Sequence, residues 1–381
     1  MRLTNVARRG CRGLILAAAV ACNGAPVGLE PASAPPPAPI DGTGYSGGAV
    51  PIDAEVTLDV PTYDGSGQAV HPDVLAFATP WHGWEYWMAF TPYPYAEAAL
   101  ENPSLLVSHD GTHWTAPPGV ANPLVPPATR GAYNSDPDLS YDAGHDRLVL
   151  LYRQVFAGFN VVYSRTSGDG THWDPPRELF RRRNHGIISP TIASAAPGTA
   201  AVWYVDAGPF VCPQRTTRVM VQRALSPDAV APRIAGRGWT TPEAAGLVQP
   251  GYSIWHVDVI WVAALHEYWA VYPAFREHTC ETNDLFFARS TDGMHWTTYP
   301  IPFLARHAGQ WSSASLYRSS LVYDAARDVI RIFLSGEGDG LRWHLGYVAY
   351  RRAEFLAWLQ RGTPDPRVGG AGVLSQRDVF P

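Results

Sequence analysis

Lysine is absent from this 381-residue chain, so all 29 basic side chains are arginine. Without lysine the chain has no Walker-type phosphate loop, no pyridoxal phosphate Schiff base and no lysine nucleophile. Charged residues of both signs are also few, at 17% of the chain, and the net charge is −5. A net acidic chain with dispersed arginines lacks the basic patch that nucleic acid requires, so we expect no nucleic-acid partner.

Turn-forming and aromatic residues are abundant, whereas no long helical period is visible. The chain contains 35 glycines and 35 prolines, together with 14 tryptophans, 18 tyrosines and 13 phenylalanines. Flat aromatic side chains suit pleated surfaces, and glycine and proline punctuate them with turns. The composition therefore predicts an all-β protein of many short strands.

The N-terminal segment has the order of a secretory signal. Four arginines precede the apolar run 14–21, which ends in small residues and is too short to span a bilayer. The stretch Ala19-Val20-Ala21-Cys22 resembles a bacterial lipobox, although Ala19 stands where leucine is usual. We therefore expect residues 1–21 to be a signal peptide and favour lipidation of Cys22 over plain secretion. Residues 22–52, rich in proline, glycine and alanine, predict a disordered tether.

Cysteine is scarce, with four in the chain, and its placement fits export. Cys11 and Cys22 belong to the targeting segment, which leaves Cys212 and Cys280 in the body. An oxidising compartment favours a disulfide between these two. A metal site is the weaker interpretation, because neither cysteine has the close partner of a CxxC pair.

A repeat organises residues 53–381. The pattern S-x-D-G-x-H-W begins at Ser108, Ser167 and Ser290, and a degenerate copy runs from Ser226 to Trp239. A spacing of about 60 residues between copies indicates a propeller rather than one globular core. Five units, each with three or four strands, predict a five-bladed β-propeller, closed by a strand from 55–60 or from the C-terminus. A short helix over 353–361 is an alternative use of the C-terminal end.

The repeated residues themselves are expected to be structural. Asp110, Asp169 and Asp292 stand beside glycines in tight turns, where a carboxylate accepts backbone N–H groups. The three histidines of the motif occupy equivalent turns of different blades, so they cannot converge on one metal ion.

The motif resembles a turn found in five-bladed propeller glycosidases. It is also similar in type to the Asp box of sialidases. The blade starts, such as His71-Pro72-Asp73 and Asp136-Pro137-Asp138, resemble those of glycoside hydrolase family 43, and more loosely families 32 and 130. Blocks around Tyr86–Pro94 and Trp255–Val259 also resemble an uncharacterised group of bacterial and phage-tail proteins with this fold. The resemblance implies an exported enzyme that hydrolyses glycosidic bonds.

Residues that depart from the repeat are better site candidates, because blade starts and second-strand exits converge on the central pocket of a propeller. We expect carboxylates and an arginine there to meet sugar hydroxyls while aromatic side chains stack on sugar rings. The substrate-binding candidates are Trp81, Trp84, Tyr93, Arg153, Trp255, His256, Tyr317, Arg318 and Glu337.

Glycoside hydrolysis needs one ionised and one protonated carboxyl group. The resemblance implies that Asp73 is the base or nucleophile and that Asp136 tunes the acid. Family 43 carries a glutamate at the third blade start, where this chain has Ser189-Pro190-Thr191, so the acid must come from elsewhere. Glu101 is the first choice and Asp258 the second.

The sequence thus predicts a monomeric, carbohydrate-binding propeller that contacts a membrane only through its lipid anchor. The alternative to a glycosidase is a lectin-like propeller that binds a surface glycan without cutting it, consistent with the missing third-blade glutamate. No cofactor is expected: His256 could reach a metal ion in the channel, but a hydrogen bond inside the channel is the preferred interpretation.

Overall fold

The computed structural model describes residues 51–126, 131–196, 199–208, 217–232, 234, 237–276, 283–306 and 311–361. The signal peptide, residues 22–50 of the predicted tether, and Cys212 and Cys280 lie outside these residues, whereas residues 51 and 52 begin the strand β1. Lipidation, export and the disulfide therefore stay predictions. Within the described ranges, no helix is long and apolar enough to cross a membrane.

Five antiparallel sheets form the five predicted blades. The strands of blade one are β2 Ala69–Trp81, β3 Trp84–Pro92 and β4 Ser104–Ser108. Blade two contains β5 Tyr133–Asp142, β6 Arg147–Phe156, β7 Phe159–Ser167 and β8 Arg177–Arg183. Blade three contains β9 Ile188–Ser194, β10 Ala200–Asp206, β11 Arg218–Arg223 and β12 Glu243–Ala244.

The remaining strands complete the ring. Blade four contains β13 Tyr252–Ile254, β14 Asp258–Val262, β15 Glu267–Arg276, β16 Asp284–Ser290 and β17 Thr297–Thr298. Blade five contains β18 Ser315–Leu316, β19 Ser320–Asp324, β20 Val329–Gly338 and β21 Arg342–Arg351. The predicted N-terminal closure is confirmed, because β1 Pro51–Leu58 pairs antiparallel with β21. The helix α1 Arg352–Arg361 follows, as the sequence suggested.

The repeated turns hold neighbouring blades together. In each copy the serine hydroxyl and the aspartate carboxylate accept backbone N–H groups of the turn, as Ser108 does from Gly111 at 2.9 Å and Asp110 does from His113 at 2.8 Å. The motif glycine then lets the next blade approach. A Cβ atom on Gly170, where φ is +75°, would stand 2.2 Å from the Trp87 ring of blade one. These residues are therefore structural, as the sequence analysis expects.

The innermost strands of the blades surround a central channel, and all of them run in the same direction through it. We call the end of the channel at which β2 begins the upper face and the end at which β2 stops the lower face. Near the upper face the pairing of β2 with β3 and of β5 with β6 shifts register, as at a β-bulge. The residues at these irregularities form the candidate site.

Candidate functional site

Three blade starts share an unusual backbone conformation. His71, Asp136 and Ser189 have φ values of 57°, 49° and 52°, and each immediately precedes a proline. A left-handed conformation in a residue other than glycine costs about 1–3 kcal/mol and persists where the surrounding structure enforces it, often at functional sites. The strained backbone of blades one and two thus carries the polar side chains that face the channel.

A cluster of His71, Asp136 and His256, which we call the upper triad, lies in the channel near the upper face. One ligand atom from each residue lies within 4.8 Å of the other two. The Asp136 Oδ1 atom is 3.3 Å from His71 Nε2 and 3.7 Å from His256 Nδ1. All three side chains are buried. Blades one, two and four therefore direct two imidazoles and one carboxylate to a common point.

The ligand atoms of the upper triad have no hydrogen-bond partner within the described part of the chain. These atoms are His71 Nε2, Asp136 Oδ1 and both ring nitrogens of His256. Buried polar atoms are paired in the great majority of cases, so several unpaired atoms that face one another indicate a binding site. The cluster has the composition of a metal site.

Neighbouring groups orient two members of the upper triad from behind. The Nδ1 atom of His71 lies 2.9 Å from the Thr91 hydroxyl oxygen, which leaves Nε2 directed at Asp136. The Oδ2 atom of Asp136 accepts the Ser189 N–H at 2.8 Å and contacts Arg153 Nε at 2.9 Å. Outer contacts of this kind fix the ligand orientation in metal sites.

Burial and charge set the protonation of the upper triad. Burial lowers the pKa of His71 to about 3 and lowers that of His256 well below its usual range. Burial also opposes ionisation of Asp136, but Arg153 and the two histidines outweigh it and hold the pKa of Asp136 well below its usual value. At neutral pH the triad therefore presents two neutral imidazoles and one carboxylate, which is the form that binds a metal ion.

Acidic and phenolic groups surround the upper triad. Glu101 is buried with Oε2 4.0 Å from His71 Nδ1, and burial raises its pKa well above the usual value. The Tyr317 ring centroid lies 4.3 Å from that of His256, and the Tyr317 hydroxyl accepts the Trp255 indole N–H at 3.3 Å. Burial raises the pKa of Glu337, farther along the same face, to about 7. The site thus holds a carboxyl group able to exchange protons near neutral pH.

A second group of charges, the lower cluster, lies deeper in the channel and contains Asp73, Asp138, Asp258 and Arg318. The Arg318 Nη2 atom is 3.0 Å from Asp138, 3.4 Å from Asp73 and 3.8 Å from Asp258. Below the cluster a cavity of about 610 Å³ opens toward the lower face. The lower cluster is therefore separated from the upper triad along the axis of the channel.

The carboxylates of the lower cluster also join adjacent blades. Asp73 accepts the Leu139 N–H at 2.9 Å, and Asp138 accepts the Ile192 N–H at 3.0 Å. Burial, followed by the neighbouring Asp138 and Asp258, raises the pKa of Asp73, and burial raises the pKa of Asp258 to about 7. Asp73 therefore faces Arg318 and the next blade rather than the upper triad.

Most predicted site residues gather in the channel, at two levels. The residues at or beside the upper triad are Glu101, Asp136, Arg153, Tyr93, Trp255, His256, Tyr317 and Glu337, while Asp73, Asp258 and Arg318 belong to the lower cluster.

Trp81 and Trp84 lie elsewhere, at the β2–β3 turn on the lower face. The Trp81 indole donates to Asp146 at 2.8 Å, and the Trp84 ring stacks on His109 with centroids 4.4 Å apart. The strand β2 is 13 residues long, so it carries Trp81 far from His71.

Sequence reasoning placed Asp138 among the blade starts that face the pocket without giving it a role, and it did not single out His71 as a site residue. The signal was present in the aligned blade starts: His71-Pro72-Asp73, Asp136-Pro137-Asp138 and His256-Val257-Asp258 each place a ligand type two residues before an aspartate. The first position of each triplet belongs to the upper triad and the third to the lower cluster.

Known proteins share this fold, although no protein-family model matches the chain. The chain is 28% identical over 316 residues, 72% of its length, to the A type blood N-acetyl-α-D-galactosamine deacetylase of Flavonifractor plautii, and it spans 39% of that protein. A crystal structure of an N-acetylgalactosamine deacetylase from F. plautii, in complex with blood group B trisaccharide, superposes with a TM-score of 0.72 at 24% identity, covering 81% of this chain and 97% of that one.

A thermostable family-43 glycoside hydrolase superposes with a TM-score of 0.51 at 13% identity, covering 74% of this chain and 88% of that one. The predicted five-bladed propeller with the architecture of family 43 is confirmed. The chain is also homologous to an enzyme that acts on glycans.

Proposed function

We propose that this protein is a metal-dependent deacetylase of N-acetylated sugars at the ends of glycans. The observation that carries the proposal is the upper triad, whose buried imidazole and carboxylate atoms face one another without hydrogen-bond partners. The name of the F. plautii relative supports the reaction and the substrate class.

The residues of the upper triad fit a divalent transition-metal ion. Ligands bound about 2.1 Å from a tetrahedral ion stand about 3–4 Å from one another. The distances of 3.3 Å and 3.7 Å from Asp136 to the two histidines agree with that spacing. A donor set of two imidazoles and one carboxylate suits Zn²⁺ or its first-row neighbours rather than Mg²⁺ or Ca²⁺. Three protein ligands leave positions open for substrate and water.

The protein groups around the upper triad supply the remaining requirements of amide hydrolysis. A bound ion would provide a Lewis acid for the acetamide carbonyl and the attacking water. Burial raises the pKa of Glu101, and the charge of a bound ion would lower it again. Glu101 would then accept the proton of that water and return it to the nitrogen as the carbon–nitrogen bond breaks, releasing acetate and the amino sugar. Tyr317, whose hydroxyl already accepts the Trp255 N–H, can donate its own proton to the developing oxyanion.

The test is acetate release from blood group A trisaccharide, which ends in N-acetylgalactosamine, with blood group B trisaccharide as the control that lacks an acetamide. We expect release from the A type substrate alone, its loss after chelation and its recovery when Zn²⁺, Mn²⁺ or Co²⁺ is restored. Asp136→Asn should abolish release, whereas Asp228→Asn, at an exposed turn, should leave it unchanged. Release that survives both chelation and Asp136→Asn would overturn the proposal.

The glycosidase and lectin interpretations give different outcomes in the same incubations. A glycosidase frees a monosaccharide, and a lectin binds the trisaccharide without any product. The geometry makes the glycosidase assignment of Asp73 the weaker one, because Asp73 is engaged by Arg318 and by the Leu139 N–H. An inverting glycosidase needs two carboxyl groups, and Glu101 would have to be one of them. The other carboxyl group near it belongs to Asp136, which already forms an ion pair with Arg153.

A further inference from the structure

The upper triad and the lower cluster are built by the starts of the same three blades. His71 and Asp73 come from blade one, Asp136 and Asp138 from blade two, and His256 and Asp258 from blade four. One residue separates the two members of each pair, so their Cα atoms lie at most about 7 Å apart. The positions of the three aspartates therefore constrain the positions of the three candidate ligands.

Arg318 lies among the three aspartates and comes from blade five, which contributes nothing to the upper triad. Its side chain is fully buried at 0% exposure. One terminal nitrogen contacts all three aspartates, and the other donates to the carbonyl of Pro137, between Asp136 and Asp138. The guanidinium therefore contacts both the side chains and the backbone of the ligand-bearing strands.

The charges of the lower cluster need such a partner. Three acidic groups this close to one another repel when ionised, and burial together with this repulsion raises the pKa of Asp73. A guanidinium is a planar, permanently charged fork that fixes the geometry of the carboxylates it contacts. Because Arg318 is part of the chain, it draws the three strands together before any ion binds above them.

We propose that Arg318 is a positioning residue that, through Asp73, Asp138 and Asp258, sets the spacing of the upper triad and thereby its affinity for a metal ion. This inference rests on the proposed metal site. It also assigns Asp73 and Asp258 a role in organising the site in place of the acid–base roles expected from the sequence. A second metal ion in the lower cluster is the competing interpretation, and the guanidinium occupies the place that ion would take.

Metal binding to the full chain, stripped by chelation, tests the proposal. Titration calorimetry with Zn²⁺ gives affinity and stoichiometry, and the visible spectrum with Co²⁺ reports coordination geometry. Arg318→Lys keeps the charge but loses the fork. Asp138→Asn removes one charge while an amide oxygen can still accept the Ile192 N–H. We expect one ion per wild-type chain, a loss of affinity of about 10–100-fold in each variant, and an altered Co²⁺ spectrum.

A matched control separates positioning from stability. Leu179→Ala removes a fully buried side chain from the packing between blades two and three, away from both clusters. It should lower the melting temperature of the metal-free protein at least as much as Arg318→Lys while leaving Zn²⁺ affinity and the Co²⁺ spectrum unchanged.

Three results would count against the proposal in distinguishable ways. Wild-type affinity and spectrum in both variants would overturn the role of Arg318 and leave the metal site standing. Two ions per wild-type chain would replace the positioning role with a second metal site. Failure of the wild-type protein to bind any of these ions would overturn the proposed function together with this inference.

Discussion

The upper triad and the lower cluster place buried ionisable groups at two levels of one channel, yet their hydrogen bonding differs. In the lower cluster, Asp73 and Asp138 meet both Arg318 and a backbone N–H of the next blade, while Asp258 Oδ2 and Arg318 Nε have no hydrogen-bond partner among the described residues. In the upper triad the atoms of His71, Asp136 and His256 that face one another form no hydrogen bond among the described residues. A buried charge that is fully engaged organises the fold, whereas buried atoms left unpaired indicate where a ligand binds.

The comparison is tested most severely by removing one ligand of the upper triad. His256→Ala should reduce Zn²⁺ affinity and acetate release by more than about a hundred-fold, because even the loss of an outer contact in a metal site costs about 10–100-fold. Zn²⁺ should raise the melting temperature of the wild-type protein and not that of the variant. Undiminished stabilisation by Zn²⁺ in the variant would remove His256 from the site.

A change at the blade periphery should affect stability without affecting the site. Gly170→Ala forces a Cβ against the Trp87 ring in a left-handed backbone, so we expect a loss of about 2–4 kcal/mol in the free energy of unfolding. Gly158→Ala, with a similar φ of +78° but open space around it, should lose about 1 kcal/mol. Denaturant unfolding measures both losses. Equal losses would show that contact with Trp87 is unimportant.

The two levels should also respond to pH in opposite directions. The pKa of His71 falls from 6.5 to about 3 on folding, so below pH 6.5 the unfolded chain binds a proton that the folded chain does not, and stability falls as the pH falls. The pKa of Asp258 rises from 3.8 to about 7 on folding, so between these values the folded chain holds the extra proton and stability rises as the pH falls.

Each contribution is limited to about 1.4 kcal/mol per pH unit. Unfolding of the metal-free protein between pH 6.5 and pH 4 isolates them by comparison with single variants. Relative to His71→Gln the wild-type protein should lose stability across this range, and relative to Asp258→Asn it should gain. Slopes of the same sign would contradict the protonation states assigned to the two levels.

The smallest effect is expected at the surface histidines of the repeat. His113 has a side chain 89% exposed and pairs with Asp110 of its own turn. His113→Ala should change the free energy of unfolding by less than about 0.5 kcal/mol and leave Zn²⁺ affinity unaltered. A measurable loss of Zn²⁺ affinity would show that ions also bind at the repeated turns.

The sequence was sufficient to predict the five blades because each blade repeats its own turn chemistry. The serine, aspartate, glycine and tryptophan of the motif make local contacts, which a sequence pattern records directly, as Ser108, Gly111 and Trp114 illustrate. The closing strand followed from the need to pair the open edge of the last blade. The prediction of the blades depended on short-range geometry, whereas that of the closing strand depended on the closure of the ring.

The site was predicted less completely. The alternation of residues along a strand shows which side chains face the channel, but it does not show how deep in the channel each side chain lies. Strand alternation assigns His71 and Asp73, two residues apart, to one side of β2, so the pattern could not show that one belongs to the upper triad and the other to the lower cluster. The left-handed conformation of His71 and Asp136 arises from the bulges and was invisible in the residue types. Trp81 was misplaced for a related reason. The sequence did not show that β2 extends for 13 residues, which places Trp81 at the end of the strand opposite to His71.

The direction of the closing strand determines at which face of the propeller the N-terminal segment enters. Pro51 pairs with Tyr350 near the lower end of β21, and Leu58 pairs with Leu345 closer to the upper end. The preceding fifty residues therefore join the propeller at the lower face. An anchor attached through them would hold the lower face nearest to the anchoring surface and direct the upper face, with the upper triad, away from it.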